Sequence, residues 1–282
     1  MAMNRSRPEH VGPPELFYNE VEARKYTSNS HMIAIQSQLS ERAVELLALD
    51  SDEGPSLILD VGCGSGLSGE VISEQGHYWI GIDISPHMLA VATEREVDGD
   101  LFLMDMGHGI PFRPGTFDGA ISISALQWLC NADKKEHKPP KRIYRFFSSL
   151  YAALKRGSRA VFQVYPENSA QMELLTQQAM RAGFSGGLVV DFPNSTRAKK
   201  MFLVLFTGGS QKMPKGLTGE EQRQEVRNMG RTRDKWKSAA EGGKLVKKSL
   251  PWIMKKKEQA RRKGKDVKMD SKYSGRKRKT RW

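Results

Sequence analysis

The stretch DVGCGSG at residues 60–66 decides the fold of this chain, because it joins a short apolar run to a turn with glycine at alternate positions. The apolar run, 57–61, has the length and composition of a buried strand. Glycine allows positive φ angles and has no Cβ, so a ligand can lie against the backbone of such a turn. The next residues, 67–74, predict a helix whose first amide groups favour a carboxylate or phosphate. We therefore expect a strand, a ligand-binding turn and a helix over 57–74.

Three successive predicted strands carry a carboxylate at or just after their ends. Asp60 is placed to hold a cationic ammonium group or an ordered water. Asp83 follows the second strand and can accept hydrogen bonds from both ribose hydroxyls of an adenosine cofactor. Asp105, with Met106 behind it, suits adenine recognition, although a carboxylate there also suits the cap of a turn. The glycines of 64–69 fit a dinucleotide fingerprint as well, so the glycine spacing alone does not choose the cofactor.

The rest of the chain alternates between strand-like and helix-like segments, which predicts a doubly wound α/β sheet. Residues 15–49 favour at least one amphipathic helix, and Ser85 suits the N-cap of the helix that starts at Pro86. The last two strands have no helix-length segment between them and should form an antiparallel hairpin. The predicted strands are 57–61, 78–82, 101–104, 119–124, 159–165, 187–191 and 201–206, and further predicted helices are 67–74, 86–94, 141–154 and 170–182.

Charge is divided unevenly along the 282 residues. The whole chain has 45 Lys and Arg and 32 Asp and Glu, a formal net charge of +13. Residues 1–210 have a net charge of −4, whereas residues 211–282 have one of +17. We interpret 1–14 as a flexible arm, 15–209 as one folded domain, and 210–282 as a basic, largely disordered tail that binds RNA and directs nuclear import.

Two classes of protein are excluded by what the sequence lacks. No apolar run approaches the about 18 residues of a transmembrane helix, and the N-terminus has no signal-peptide core, so no membrane contact is expected. The two cysteines, Cys63 and Cys130, cannot form a disulfide scaffold and indicate a reducing compartment. The histidines show no metal-ligand spacing, so no metal site is expected.

Three motifs together resemble the class I methyltransferase fold, a Rossmann-like seven-stranded sheet that binds S-adenosylmethionine. They are DVGCGSG (60–66), GIDIS (81–85) and LFLMDMG (101–107). Further segments are similar to the small-subunit (18S) ribosomal RNA guanine-N7 methyltransferases of eukaryotes, and the resemblance covers nearly the whole chain. These segments are 17–36, 117–133, 165–171, 181–195 and the basic end YSGRKRKTRW at 273–282.

The resemblance implies S-adenosyl-L-methionine as the cofactor and assigns residues to it. The glycine turn would lie along the methionine part, the residues after the second strand would hold ribose and adenine, and those after the third would contact adenine. The N-terminal segment with the two tyrosines would close over the cofactor. The implied cofactor-binding residues are Asp60, Gly62, Gly64, Gly66, Asp83, Ile84, Asp105, Met106, Tyr18 and Tyr26.

Methylation of guanine N7 requires no general base, because N7 has an in-plane lone pair and the sulfonium methyl group is already activated. The enzyme must align nucleophile, methyl and sulfur and exclude water. Residues 122–128 would form the wall of the methyl-transfer site, with Ser122, Gln127 and Trp128 as positioning candidates. Trp128 suits stacking on a base and suits a core position equally well.

The resemblance also implies partners and a location. In the common strand order of this fold the third strand lies at the edge, where the apolar run 101–104 invites pairing. Relatives act with a small zinc-binding methyltransferase activator subunit, which we expect beside Leu101–Met104 in a heterodimer. The expected substrates are ribosomal RNA and pre-40S particles. The expected location is the nucleus, including nucleolus and nucleoplasm, with the cytoplasm as a further compartment.

Alternative functions remain open at this point. A ribosome-assembly factor whose binding matters more than its catalysis would show the same motifs. A methyltransferase for a small metabolite would share the cofactor site, but the +17 tail argues against it. A dinucleotide-dependent oxidoreductase is disfavoured, because no nicotinamide-binding half follows.

Overall fold

The computed structural model of the protein describes residues 7–50, 54–195, 198–208 and 211–218, together with positions 253, 254, 256, 257, 261 and 267. The chain divides into two compact units, Met1–Thr218 and Gly219–Trp282. Of the second unit, the described residues 253, 254, 256, 257 and 261 are helical. The predicted disordered, RNA-binding and nuclear-targeting tail at 210–282 therefore lies almost entirely outside the described residues.

Within its described residues, the first unit contains seven strands and seven α-helices. Several helices have a side-chain N-cap: Asn19 caps the helix that starts at Glu20, and Asn29 caps the one that starts at Ser30. Ser85 caps the helix that starts at Pro86, as predicted. The strands are β1 (Leu57–Val61), β2 (Tyr78–Asp83), β3 (Asp100–Leu103), β4 (Phe117–Ile123), β5 (Leu154–Val164), β6 (Ser185–Asp191) and β7 (Lys200–Phe206). The helices are α1 (Pro14–Phe17), α2 (Glu20–Ser28), α3 (Ser30–Leu47), α4 (Leu67–Glu74), α5 (Pro86–Glu94), α6 (Pro139–Ala153) and α7 (Ser169–Arg181).

The strands form one mixed sheet in the order β3-β2-β1-β4-β5-β7-β6. β1 to β5 are parallel, and β7 is antiparallel to both β5 and β6. The predicted doubly wound sheet with an antiparallel last hairpin is confirmed, and so is the position of β3 at the edge. Since parallel strands end at the same edge, the carboxyl ends of β1 to β4 bring the glycine turn and the strand-end carboxylates together.

Helices cover both faces of the sheet. α3 and α4 pack on one face through Leu39, Leu47 and Ile72, and α6 and α7 pack on the other through Phe147 and Leu175. Both faces of the central strands are therefore buried, which explains why they are continuous apolar runs rather than alternating ones.

The sequence of α6 shows how one helix is fixed between the sheet and solvent. Pro139 and Pro140 occupy its first turn, where a missing N–H costs no intrahelical bond. Its buried side chains recur at helical spacing, so a single apolar stripe faces the sheet and the opposite face is polar. The buried residues are Ile143, Phe146, Phe147, Leu150 and Ala153.

The predicted flexible arm at 1–14 needs correction where the structure describes it. Residues Pro8–His10 form a 3₁₀ turn, and the Arg7 guanidinium donates to the backbone oxygen of Tyr165 at 2.8 Å. The Gln127 side chain also donates to Glu9 Oε1 at 3.1 Å. These long-range polar contacts hold residues 7–14 against the ends of β4 and β5, and no local sequence pattern announces them.

The compact unit also extends beyond the predicted domain end at residue 209. The Gln211 side chain donates to the Gly157 carbonyl at 2.7 Å, and the Leu217 amide donates to Asp191 Oδ1 at 2.8 Å. Phe192 in turn donates its amide to the Leu217 carbonyl at 2.7 Å. Backbone and side-chain hydrogen bonds thus attach 211–218 to the sheet. Separately, no described helix has the length and apolar character needed to cross a membrane.

Candidate cofactor and methyl-transfer site

A cavity lies at the carboxyl ends of β1 to β4, under α1 and α2. Its walls come from the glycine turn, the ends of β2, β3 and β4, and the start of α6. The structure therefore brings most of the predicted site residues to one place. Those that line the cavity are Tyr18, Tyr26, Gly62, Gly64, Asp83, Ile84, Asp105, Met106 and Trp128.

The glycine turn is shaped by left-handed backbone conformations and by its neighbours. Gly62 has a φ of 73°, and a Cβ placed on it would lie 2.3 Å from the Cβ of Ala125. The amides of Gly62 and Cys63 both donate to the Ile82 carbonyl, at 2.8 and 3.1 Å. The turn is thereby fixed between the ends of β2 and β4, with bare backbone facing the cavity.

The third glycine of the ambiguous fingerprint has a packing role. A Cβ on Gly69, inside α4, would lie 2.1 Å from Cζ2 of Trp79, and one on Gly99 would lie 2.3 Å from the same ring. Trp79 is buried on β2. Gly69 thus lets α4 pack closely against β2. This packing accounts for the third glycine of the dinucleotide fingerprint, so the match does not require a dinucleotide ligand.

Asp60 is fully buried below the glycine turn and only half satisfied. Ser68 Oγ donates to its Oδ2 at 2.5 Å, whereas Oδ1 has no hydrogen-bond partner among the described residues. Burial raises the pKa of Asp60 to about 7. An unpaired buried carboxylate oxygen is costly, and an ammonium group is the partner that removes this cost. The site therefore fits the amino group of a methionine-type cofactor.

We expect Asp60 to make the cofactor-free protein less stable as pH rises. Its pKa is about 7 in the folded state and 3.8 as the reference for the unfolded chain. The Asp60 contribution to the free energy of unfolding is largest below pH 3.8, and it decreases with rising pH until the folded-state carboxyl ionises near pH 7. Relative to Asp60→Asn, wild type should lose on the order of 3 kcal/mol between pH 4 and pH 8. Urea unfolding of both proteins across this range measures the difference, and a pH-independent difference would contradict the expectation.

Asp83 joins the two loops that flank the cavity. Its Oδ2 accepts from the Gly64 amide at 2.9 Å, and its Oδ1 accepts from the Ser85 amide at 2.8 Å. Removal from bulk water raises the pKa of Asp83, and these amide hydrogen bonds oppose the rise. Each carboxylate oxygen has lone-pair capacity left for a ribose hydroxyl. Asp83 therefore both shapes the turn and faces the cavity.

The Asp105 carboxylate makes the turn cap that its position suggested, and it also has a partner that the sequence did not indicate, Arg142. Arg142 Nη2, from α6, lies 2.7 Å from Oδ1 and 2.6 Å from Oδ2, and the Gly107 amide donates to Oδ1 at 2.8 Å. Asp105 thus caps the 3₁₀ turn Met106–His108 and forms an ion pair with a side chain that is 11% exposed. Both residues line the cavity, so the adenine contact predicted for Asp105 would be made by a carboxylate already held in place.

Aromatic side chains close the cavity on its N-terminal side. The rings of Phe17 and Tyr18 lie about 6 Å from that of Trp128, and Tyr18 lies 6.1 Å from Tyr26. Burial raises the pKa of both tyrosines, which keeps them neutral. The Tyr18 carbonyl accepts from Ser85 Oγ at 2.8 Å, which ties this segment to the end of β2. Trp128 is 6% exposed, so its packing role is the one that the structure favours.

The residues after β4 need one correction. Ser122 is fully buried within β4, and the Gln127 side chain is turned toward Glu9 and the Ser124 carbonyl. Neither residue lines the cavity, whereas Ser124 and Ala125 do. β4 ends at Ile123, and the chain turns at Ser124, which has a φ of 56°, so the cavity is lined by the residues of this turn rather than by Ser122 inside the strand.

The described residues contain no group of three or more His, Cys, Asp or Glu side chains arranged for a metal ion. Both cysteines are free thiols, and burial raises the pKa of each. The site thus presents buried carboxylates, bare backbone and neutral aromatic rings.

Comparison of the sequence with known proteins finds methyltransferases. A family model described as "Methyltransferase domain" matches residues 59–162, and one described as "Methyltransferase involved in Williams-Beuren syndrome" matches residues 205–280. The 18S rRNA (guanine-N(7))-methyltransferase of Mus musculus is 59% identical over the full length of both chains. The 18S rRNA (guanine(1575)-N(7))-methyltransferase of Saccharomyces cerevisiae is 50% identical over 98% of this chain and 100% of its own.

Solved structures of much lower identity share the fold. A phosphoethanolamine N-methyltransferase of Haemonchus contortus in complex with S-adenosylhomocysteine is 18% identical, with a TM-score of 0.52 over 68% of this chain and 58% of its own. A TehB-like SAM-dependent methyltransferase of Corynebacterium glutamicum is 19% identical, with a TM-score of 0.50 over 67% of this chain and 100% of its own. The fold is that of the class I methyltransferases.

Proposed function

Because this chain belongs to the family of the 18S rRNA (guanine-N(7))-methyltransferases, we propose that it methylates N7 of a guanine in small-subunit ribosomal RNA, with S-adenosyl-L-methionine as donor. The observation that carries the proposal is identity of 50–59% over full length to proteins of that name. The site supports it, because an orphaned buried carboxylate oxygen and a glycine turn fit the donor's ammonium and methionine parts.

The chain's own residues hold the cofactor rather than react chemically. Asp60 Oδ1, buried below the glycine turn, would accept from the ammonium group, Asp83 would accept from the ribose hydroxyls, and Ile84 and Met106 would contact the adenine. When bound, the cofactor supplies an activated methyl group on sulfur. The neutral rings around Trp128 exclude water from the transfer region, which strengthens the alignment on which the rate depends.

No side chain is required to remove a proton before attack. Guanine N7 presents its lone pair in the plane of the base, so the protein needs only to orient it toward the methyl group. Three of the titratable side chains at the cavity agree with this: Tyr18 and Tyr26 stay neutral, and Asp105 is paired with Arg142. The reaction is therefore one of positioning and water exclusion.

Asp83→Asn tests the proposed cofactor role. The Asn side chain would turn its N–H₂ group toward the backbone N–H of Gly64 or Ser85, so one of these two hydrogen bonds is lost. We therefore expect kcat/KM for methylation of rRNA to fall roughly 30-fold. Asp118→Asn is the matched control, because Asp118 accepts from the Leu57 amide at the opposite, amino end of the sheet. N7-methylguanine is read as a site of chemical chain cleavage in 18S rRNA. Equal methylation by all three proteins would overturn the proposed role of Asp83.

The rRNA reaction also places the protein in pre-rRNA processing and small-subunit biogenesis, on pre-40S particles. Cells that carry Asp83→Asn in place of wild type separate catalysis from assembly. Loss of methylation with slow subunit maturation supports a catalytic requirement. Loss of methylation with normal maturation assigns the essential role to binding. A fluorescent fusion of the full chain tests the proposed nuclear and nucleolar location, with the cytoplasm as the further compartment.

We also propose that the small zinc-binding activator adds a strand to β3 and forms a heterodimer with this chain. β3 is one of the two edge strands, and its Phe102 and Leu103 side chains are 44% and 61% exposed. An exposed apolar edge strand has unpaired backbone groups that favour strand addition. Phe102→Asp should abolish co-purification with the activator, whereas an unchanged yield of complex would refute the pairing.

A further inference from the structure

The surface beside the cavity mouth carries an unusual local charge. The first unit as a whole is mildly acidic: its net charge is −4 over residues 1–210, and −2 when Lys212 and Lys215 are added. Between residues 134 and 145, however, six side chains are Lys or Arg and only Glu136 is acidic. This segment forms the loop before α6 and the first turns of that helix, so the charge is concentrated at one place in the fold.

The side chains of these basic residues point in two directions. Lys138, Lys141 and Arg145 follow one another at spacings of three and four, which places them on one exposed face of α6. Arg142 follows Lys141 by one residue and therefore lies about 100° further round the helix, where its side chain points inward to Asp105. Arg142 is part of the cavity wall, and the outward residues lie on the solvent side of the same segment, next to that wall.

The rim lysines are available to a ligand. Lys135, Lys138 and Lys141 are exposed, and none of them forms an ion pair with a carboxylate in the described part of the chain. Lys134 is weakly engaged, with its Nζ 3.6 Å from Glu15. In the same loop, Asp133 and His137 line the cavity itself. A polymer bound along these lysines would therefore pass directly over the cavity mouth.

We propose that Lys134, Lys135, Lys138, Lys141 and Arg145, here called the rim lysines and arginine, bind the phosphate backbone of the RNA strand whose guanine enters the cavity. This inference rests on the proposed rRNA methylation. Exposed lysines suit a polyanion better than the core of a protein interface, which is depleted of charged residues. The lysine side chains must make the contact, because Pro139 and Pro140 supply no N–H to a phosphate.

The basic residues after 210 do not replace this surface. They extend general affinity for RNA, whereas the rim lies beside the reacting base and fixes the path of the strand. Phosphate contacts carry no base identity, so the rim determines register and the cavity determines which atom reacts.

The test uses the full chain with Lys135→Gln, Lys138→Gln and Lys141→Gln combined. A matched control combines Arg113→Gln, Arg156→Gln and Lys212→Gln, which are exposed at the amino end of the sheet. The ligand is an unmethylated transcript of small-subunit rRNA, measured by fluorescence anisotropy across a salt series. KM for methylation of the same transcript is measured in parallel, and calorimetry with S-adenosylhomocysteine confirms that each variant retains the cofactor site.

We expect the rim variant to bind the transcript about tenfold more weakly and its log–log salt slope to fall by about two, since each lost phosphate contact removes about 0.7. KM for RNA should rise while affinity for S-adenosylhomocysteine stays unchanged, and the control should match wild type. An unchanged slope and KM in the rim variant would overturn the proposal and assign the rim to an acidic protein partner. If wild type binds RNA through the rim but forms no N7-methylguanine, the proposed function fails and the rim assignment stands.

Discussion

Gly62→Ala is expected to reduce affinity for S-adenosylmethionine at least about 100-fold and to remove activity in proportion. Two effects act together. The residue has a φ of 73°, which an alanine side chain strains, and the new Cβ would lie 2.3 Å from the Cβ of Ala125. Because the Gly62 amide also donates to the Ile82 carbonyl, the turn cannot move without losing that hydrogen bond. The backbone that faces the methionine part of the cofactor would be displaced.

Gly76→Ala is the matched control for this prediction. Gly76 has a φ of 89°, but a Cβ there has no neighbour within 4 Å. Both variants should lose about 1 kcal/mol to backbone strain, and only Gly62→Ala should lose the cofactor. Isothermal titration with S-adenosylhomocysteine and urea unfolding separate the two effects. Equal affinity of the two variants would show that contact with Ala125 does not control the turn.

Asp191→Ala should lower the free energy of unfolding by about 2–3 kcal/mol, because it removes a buried ion pair while Glu45 still compensates the Arg42 charge. Asp191 is buried at the end of β6, where Arg42 Nε lies 2.9 Å from Oδ2 and the Leu217 amide donates to Oδ1. Truncation leaves the Arg42 guanidinium, whose side chain is 11% exposed, without this partner, and it removes one of the hydrogen bonds that attach 211–218 to the sheet. One substitution thus removes both a buried ion pair and an attachment of the chain.

Glu94→Ala provides the comparison on the surface. Glu94 pairs with Arg24 through two hydrogen bonds at 2.7 and 2.9 Å, but both side chains are more than half exposed. Because solvent screens such an exposed pair, Glu94→Ala should change the free energy of unfolding much less than Asp191→Ala does. Urea unfolding of both variants at one pH measures the contrast. If the two losses were equal, burial of the Arg42–Asp191 pair would not be the source of its stabilisation.

Local sequence patterns were sufficient for much of the fold. The bounds predicted for β1, α4 and α5 agree with the structure, since each has a short-range signal: a bounded apolar run, helical spacing, or a Ser-Pro start. The Asp60 and Asp83 positions followed from the same logic, because parallel strands end at a common edge. Boundaries were least accurate at β5, which begins at Leu154 rather than 159, as sheet pairing with β4 extends it.

Other features depended on contacts between distant residues. Arg142 meets Asp105 across 37 positions, Gln127 meets Glu9 across 118, and Arg42 meets Asp191 across 149. No spacing rule links such pairs, because their separation in space is set only when the sheet has assembled. The same is true of Ser122 and Gln127, whose orientation is decided by the twist and turn at the end of β4.

The sequence by itself determined the strand–turn–helix with its glycines, the carboxylates that follow it, and the contrast between an acidic domain and a basic tail. These depend on residue type and on periods of two or 3.6 residues, which are local properties. The tertiary structure fixes which side chains face the cavity, which carboxylates are already paired, and where the rim lysines and arginine lie relative to the cavity wall. Those outcomes depend on burial and on long-range pairing, which exist only in the folded chain.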